Sequence, residues 1–179
     1  KVNQRDIEVE VDLLAGEYGG TGRAHRTQRV QGGVQPRKAR GCDLAFTLYT
    51  EVTVDGVLPG GGIDTVRVRV ASVVPFLVMK GMVLYSRLEE KDAYDVYFCV
   101  RNYPGGLDAL ADEFAPHIGH GLVREGLTKI AGKFASPEHV GPKHVADFDE
   151  TMDEEERAIM QRDAFERVDY LLRKLGIVT

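Results

Sequence analysis

Apolar residues occupy every second position at the start of the chain, where Ile7, Val9 and Val11 alternate with Glu8, Glu10 and Asp12 before Leu13 and Leu14. A period of two is the mark of a strand with one apolar face. The Gly-rich stretch 16–22 ends this strand, and the polar, basic residues 23–41 read as a long loop. Residues 44–53 are rich in β-formers and lead into the turn Asp55-Gly56 and the breaker Pro59-Gly60-Gly61-Gly62. Val66, Val68 and Val70 then alternate with Arg67 and Arg69. The links are too short for helical crossovers, so these segments predict a small, mostly antiparallel sheet.

The pattern changes after Ser72, a good N-cap residue. Helices are predicted over 73–89, 90–102, 107–114 and 121–134, with Tyr103-Pro104-Gly105-Gly106 stopping the second. Thr151 and Glu154 have the spacing of a capping box opening a last helix, which ends at Gly176 with Arg173 and Lys174 in its final turn. Strands followed by helices make the fold class α+β. The expected organisation is a β-rich part over 1–71, a helical part over 72–150 and a C-terminal helix over 151–179.

Composition changes this picture little. A chain of 179 residues with 43% hydrophobic and 28% charged positions can bury a core without staples. A net charge of −5 argues against a surface built throughout to coat nucleic acid, but leaves room for a local basic groove. Cys42 and Cys99 lie far apart and read as reduced thiols. No apolar run is long enough to span a membrane, and no signal peptide is seen, so a cytoplasmic setting is expected. The chain begins Lys-Val-Asn-Gln-Arg without an initiator Met, which suggests a piece of a longer protein.

The chemistry concentrates between residues 80 and 95. Lys80 and Arg87 share a helix face two turns apart, Lys91 and Asp95 are an i,i+4 pair, and Asp92 and Asp95 an i,i+3 pair. Phe76, Leu77, Met79, Met82, Val96, Tyr97, Phe98 and Val100 surround them. Five charges in such a setting need partners, because an unpaired buried charge costs several kcal/mol (~3–5 when one partner is lost). Two readings stand at this point. One is an ion-pair network tying two helices together; the other is a pocket where cations take phosphate and a carboxylate serves a metal or acts as a base.

The run Arg87-x-x-x-Lys91-Asp92-Ala93-Tyr94-Asp95, with Lys80 before it, resembles the helical motif of the AbiEii family of nucleotidyltransferases. That motif reads approximately Lys, several residues, then Arg-x-Lys-x-Arg-Asp-x-x-Asp; here Glu89 stands at its middle lysine and Lys91 at the following arginine. The likeness is strong over about 30 residues and loose over 7–150. It implies a DNA polymerase β-like nucleotidyltransferase fold and transfer of a nucleotide from a nucleoside triphosphate, with Mg²⁺, to an RNA or protein hydroxyl. Lys80 would contact the triphosphate, Arg87 and Lys91 would neutralise phosphate or orient carboxylates, and Asp95, or Asp92, would act beside the active site. Val11-Asp12-Leu13 has the form of the family's third metal-site acid, with Glu10 as the alternate. The setting implied is a toxin–antitoxin or phage-defence system with a small antitoxin as protein partner.

One departure stands out. The family's first motif, Gly-Ser or Gly-Gly and two spaced aspartates, should precede this strand, where only six residues are present. Gly32-Gly33 followed by Asp43-Leu44-Ala45 is a poor substitute, since Ala45 replaces the second acid. Either that part lies upstream, or the chain is a non-catalytic nucleotide- or partner-binding module. Arg23, Arg26, Arg29, Arg37, Lys38 and Arg40 form an acid-free basic stretch that would meet RNA (tRNA included), although no aromatic residue interleaves to stack bases. The 16–22 stretch lacks the Gly-Lys-Ser/Thr of a phosphate loop and reads as a turn. His117 and His120 read as a helix-end pair, and the acidic run 147–156 as a solvated helix start.

Overall fold

The computed structural model describes residues 11–16, 36–58, 60–87 and 89–177. These form an α+β fold, with the strands in the first half and the helices after them. Strands β1 (Leu14–Ala15) and β2 (Arg37–Lys38) form a short parallel pair. Strands β3 (Tyr49–Val57) and β4 (Ile63–Ala71) form a separate antiparallel hairpin. The helices are α1 (Val73–Ser86), α2 (Glu90–Asn102), α3 (Gly106–Phe114), α4 (Gly121–Lys133), α5 (Val140–Phe148) and α6 (Glu154–Lys174). No helix among the described residues is long and apolar enough to cross a membrane.

The core is helical. Val74, Leu77, Val78 and Leu84 of α1 pack with Val96 and Val100 of α2, Phe114 of α3, Val123 and Leu127 of α4, and Val168 and Leu171 of α6. Helix α1 is apolar on most of its surface, because α4 covers one side and α2 another. The α1–α4 approach runs through Gly81 and Gly126: a Cβ on Gly81 would lie 2.2 Å from the Gly126 carbonyl oxygen. Lys80 is the one charged residue of α1 and emerges on the side facing α2.

The hairpin contributes little to this core. Val52 pairs with Val68 and Val54 with Val66, so with Val70 they form one apolar face, yet both faces of the ribbon meet solvent. The opposite face is closed by Arg69 over the Tyr49 ring and by the Thr65 hydroxyl donating to Asp55 at 2.6 Å.

Several sequence expectations need correction. The small antiparallel sheet is the β3–β4 hairpin, and among the described residues β1 does not join it. Leu14–Ala15 pairs in parallel with β2, and Ile7 to Glu10 lie outside the described residues. Residues Cys42–Phe46 are a 3-10 helix rather than the start of a strand. Gly41 turns the chain at φ 87, and Cys42 and Leu44 point inward from a curled backbone. Helix α5 is absent from the sequence expectations, and Gly141 and Pro142 lie within it. Both sit in its first turn, where a missing N–H costs nothing. A Cβ on Gly141 would sit 2.5 Å from the Lys133 carbonyl oxygen. Helix α6 is capped by Asp153, not Thr151; its carboxylate accepts from the Glu155 and Glu156 N–H groups at 3.0 and 2.9 Å. The acidic run 147–156 spans the end of α5, the link and the first turn of α6, and Asp147 pairs with Arg157.

Candidate functional site

Helices α1 and α2 are joined by the short link at 87–89, so they run antiparallel and bring Lys80 opposite the first turns of α2. The sequence turns sharply there because Arg87 leaves the helix with extended backbone (φ −133, ψ 147) and swings its side chain across to Asp92. Asp92 is the centre of the group. It is 1% exposed and accepts from Lys80 Nζ at 2.8 Å on one oxygen and from Arg87 Nε at 2.8 Å on the other. Lys80 Nζ also reaches Asp95 at 2.5 Å.

The electrostatics follow from that geometry. Burial alone would raise the Asp92 carboxyl, but hydrogen bonds from Arg87 and Lys80 outweigh it and hold the group below its ordinary value. Burial would lower Lys80, yet the hydrogen bonds to Asp92 and Asp95 carry it above the usual lysine value. Arg87 is raised chiefly by its hydrogen bond to Asp92, with burial opposing and smaller contributions from the charges of Glu89 and Asp12. The last of these matters most for the site. Through it the Asp12 charge, two residues before β1, falls within electrostatic reach of Arg87.

Donors remain after the pairing. An ammonium has three protons, and Asp92 and Asp95 take two from Lys80. A guanidinium has five; the Nε–H of Arg87 goes to Asp92, while its Nη groups stand 3.4 Å from Asp92 and 3.5 Å from Glu89. The Arg87 side chain is 51% exposed, so its outer edge is open to an anion.

The predicted residues therefore divide. Lys80, Arg87, Asp92 and Asp95 come together, and Asp12 lies near them. Lys91 is exposed and forms no ion pair among the described residues, so the expected Lys91–Asp95 contact is replaced by Lys80–Asp95. Glu10, Arg23, Arg26 and Arg29 lie outside the described residues. Arg37 stands 3.6 Å from Asp12, and Lys38 is half-buried in β2. Arg40 is directed to α4, where its Nε lies 3.0 Å from both oxygens of Glu125, which also accepts from Lys129 at 2.8 Å.

That network was not read from the sequence, since Arg40 and Glu125 are far apart and neither belongs to a motif. It holds the β2 side of the fold to α4 and lowers Glu125 from 4.5 to about 2, mainly through Arg40. A depressed carboxylate stabilises the folded chain above its unfolded value and loses that contribution as pH falls through its folded value. Glu125→Gln should therefore weaken the protein at neutral pH by under about 1 kcal/mol, given its exposure. In urea melts the variant and parent should converge between pH 4.5 and about 2.

A divalent ion needs several converging carboxylates. No group of three His, Cys, Asp or Glu side chains that could hold one is found among the described residues. Asp12 is the one strand-side metal candidate among the described residues, Glu10 lying outside them. His120 caps α4 by accepting from the Leu122 N–H at 3.2 Å, and His117 ends a short 3-10 helix, as a helix-end pair would. Cys42 and Cys99 are free thiols, and burial pushes both upward. Two surface hollows, of about 350 and 360 Å³, lie away from Lys80. One follows α6 at Ile159 and Asp163; the other joins Glu90 to Asp147 and Arg157.

The chain matches no protein-family model, no curated protein and no solved structure.

Proposed function

We propose that this chain works as an AbiEii-type nucleotidyltransferase, with the α1–α2 pair as the part that grips the triphosphate. The observation that supports this best is the buried carboxylate of Asp92 holding Lys80 and Arg87 together while the Arg87 side chain stays half-exposed. A phosphate group carries several acceptor oxygens, and a fixed fork with an ammonium beside it is preorganised for them. In this reading Asp92 is a positioning group, because its own oxygens are engaged. Asp12, two residues before β1 and within electrostatic reach of Arg87, is the carboxylate assigned to the reacting end, and Asp95 steers Lys80. The reaction is attack of an RNA or protein hydroxyl on the α-phosphorus, with pyrophosphate leaving. The divalent ion that accompanies the triphosphate, and an antitoxin partner, belong to the same reading.

Calorimetry with ATP, CTP, GTP and UTP in Mg²⁺ tests it. Removing a charge-assisted hydrogen bond costs ~1.5–3 kcal/mol, so Arg87→Ala and Lys80→Ala should each weaken binding by ten- to a hundredfold. Affinity equal to that of the parent in both variants would remove the triphosphate from this seam.

A second reading has its own observation. Lys80 and Arg87 are matched by Asp92, Asp95 and Glu89, as in a staple between helices. Under it the variants lose stability and no nucleotide binds the parent. A non-catalytic binding module stands between the two: nucleotide would bind without turnover.

A further inference from the structure

We infer that the seam carries a nucleobase seat at Phe76 and Phe98, with the triphosphate directed toward Arg87; this rests on the function proposed above and adds the orientation and the recognition of its substrate. Phe76 lies one helical turn before Lys80 on the same face of α1, and Phe98 lies one turn after Asp95 on α2. Since the helices run antiparallel and Lys80 meets Asp95, both rings stand on the same side of that contact, away from Arg87. The seam thus has an aromatic end, an ion-paired middle and a cationic end.

Both rings are more open than structural aromatics of a helical core. Phe76 is 36% exposed and Phe98 is 52% exposed, whereas Phe114 is fully buried. The Lys80 ammonium stands over the Phe76 ring, 5.6 Å from its centroid, and ties the aromatic end to the ion-paired middle. Phe98 is steadied by Tyr94, with ring centroids 6.2 Å apart, and Tyr94 in turn rests on Phe148 at 4.7 Å. From Phe76 to Arg87 the helix rises by about 16 Å at ~1.5 Å per residue, a span that an extended nucleoside triphosphate can bridge.

The polar side chains beside Phe98 on α2 are few among the described residues. Cys99 is a buried-shifted thiol, and the Asn102 amide donates to the Phe98 carbonyl at 2.8 Å. Recognition by stacking alone grades bases by ring area, so purine triphosphates bind ahead of pyrimidine triphosphates.

The chain contains no Trp, so Phe76→Trp introduces a lone reporter at the seat. MgATP should quench its emission strongly, and inorganic tripolyphosphate should leave it unchanged. Tyr170→Trp, on the remote surface of α6, should respond to neither. By calorimetry Phe76→Ala and Phe98→Ala should each lose about tenfold in ATP affinity while holding tripolyphosphate as the parent does. Unchanged ATP affinity in both alanine variants, with a silent Phe76→Trp, overturns the seat and leaves the phosphate grip standing if tripolyphosphate still binds. Failure of the parent to bind either ligand overturns the seat and the proposed function together. Equal affinity for purine and pyrimidine triphosphates overturns the stacking account of recognition.

Discussion

Asp92→Ala should be among the most damaging single substitutions in this protein, lowering stability by roughly 3–5 kcal/mol. The reason is the asymmetry of buried charge. Asp92 is 1% exposed and compensates Lys80, which is 19% exposed, as well as the inner edge of Arg87. Removing the carboxylate leaves an ammonium in a seam that Asp95 alone cannot neutralise as well. At a chain length of 179 residues the loss corresponds to a fall in Tm of roughly 6–20 °C by thermal melting. Asp95→Asn should cost far less, because Asp95 is a quarter exposed and Lys80 keeps its stronger partner. The pH dependence has a definite sign. Asp92 is held below its ordinary value, so its contribution is complete above the unfolded carboxyl range and drains away as pH falls below it. The variant and parent should therefore differ most at neutral pH and least in strong acid. A parent that melts no higher than Asp92→Ala at pH 7 would show that the cluster does not hold the helices.

The same cluster shows which parts of the site are legible in a sequence. That Lys80, Arg87, Asp92 and Asp95 belong together could be read from helical spacing, since a turn of helix repeats every three to four residues. Which acid meets which cation could not. The expected Lys91–Asp95 pair obeys the i,i+4 rule, yet Asp95 meets Lys80 of the neighbouring helix at 2.5 Å. A partner across a tight link depends on where that link breaks the helix, and Arg87 breaks it three residues before the predicted end. The approach of Asp12 to Arg87 is still less accessible, because it is set by how β1 pairs with β2 and not by any local pattern. At the level of the fold, alternation marked the hairpin and its valine face, while Thr151 was the wrong cap for α6. Within helix α5, Gly141 is small for the sake of Phe134 and Lys133, not because the chain bends there. Local rules fail where a residue type answers a tertiary contact.

Gly81→Ala is the second substitution expected to act strongly, and in the direction opposite to helix propensity. In an exposed helix the change adds about 1 kcal/mol of stability. Here the new Cβ would lie 2.2 Å from the Gly126 carbonyl oxygen and 3.1 Å from its Cα, all backbone atoms that cannot rotate away. The converse holds as well, since a Cβ on Gly126 would meet the Cα and carbonyl oxygen of Val78 at 2.9 Å. Helices α1 and α4 must then separate, opening gaps around Val78, Met82 and Leu127, and the cost should reach the upper part of the overpacking range, about 3 kcal/mol. The two glycines share one contact, so the double variant should cost much less than the sum of the single ones. The displacement should also reach the site: α1 carries Lys80 and Arg87, and moving it relative to α2 strains the contacts on Asp92. Gly81→Ala should therefore lower thermal stability and, under the proposed function, nucleotide affinity, whereas Gly132→Ala, where a Cβ meets nothing within 4 Å, should keep thermal stability at or above the parent's value. Equal melting temperatures for Gly81→Ala and Gly132→Ala would mean that the two helices are not packed at backbone contact.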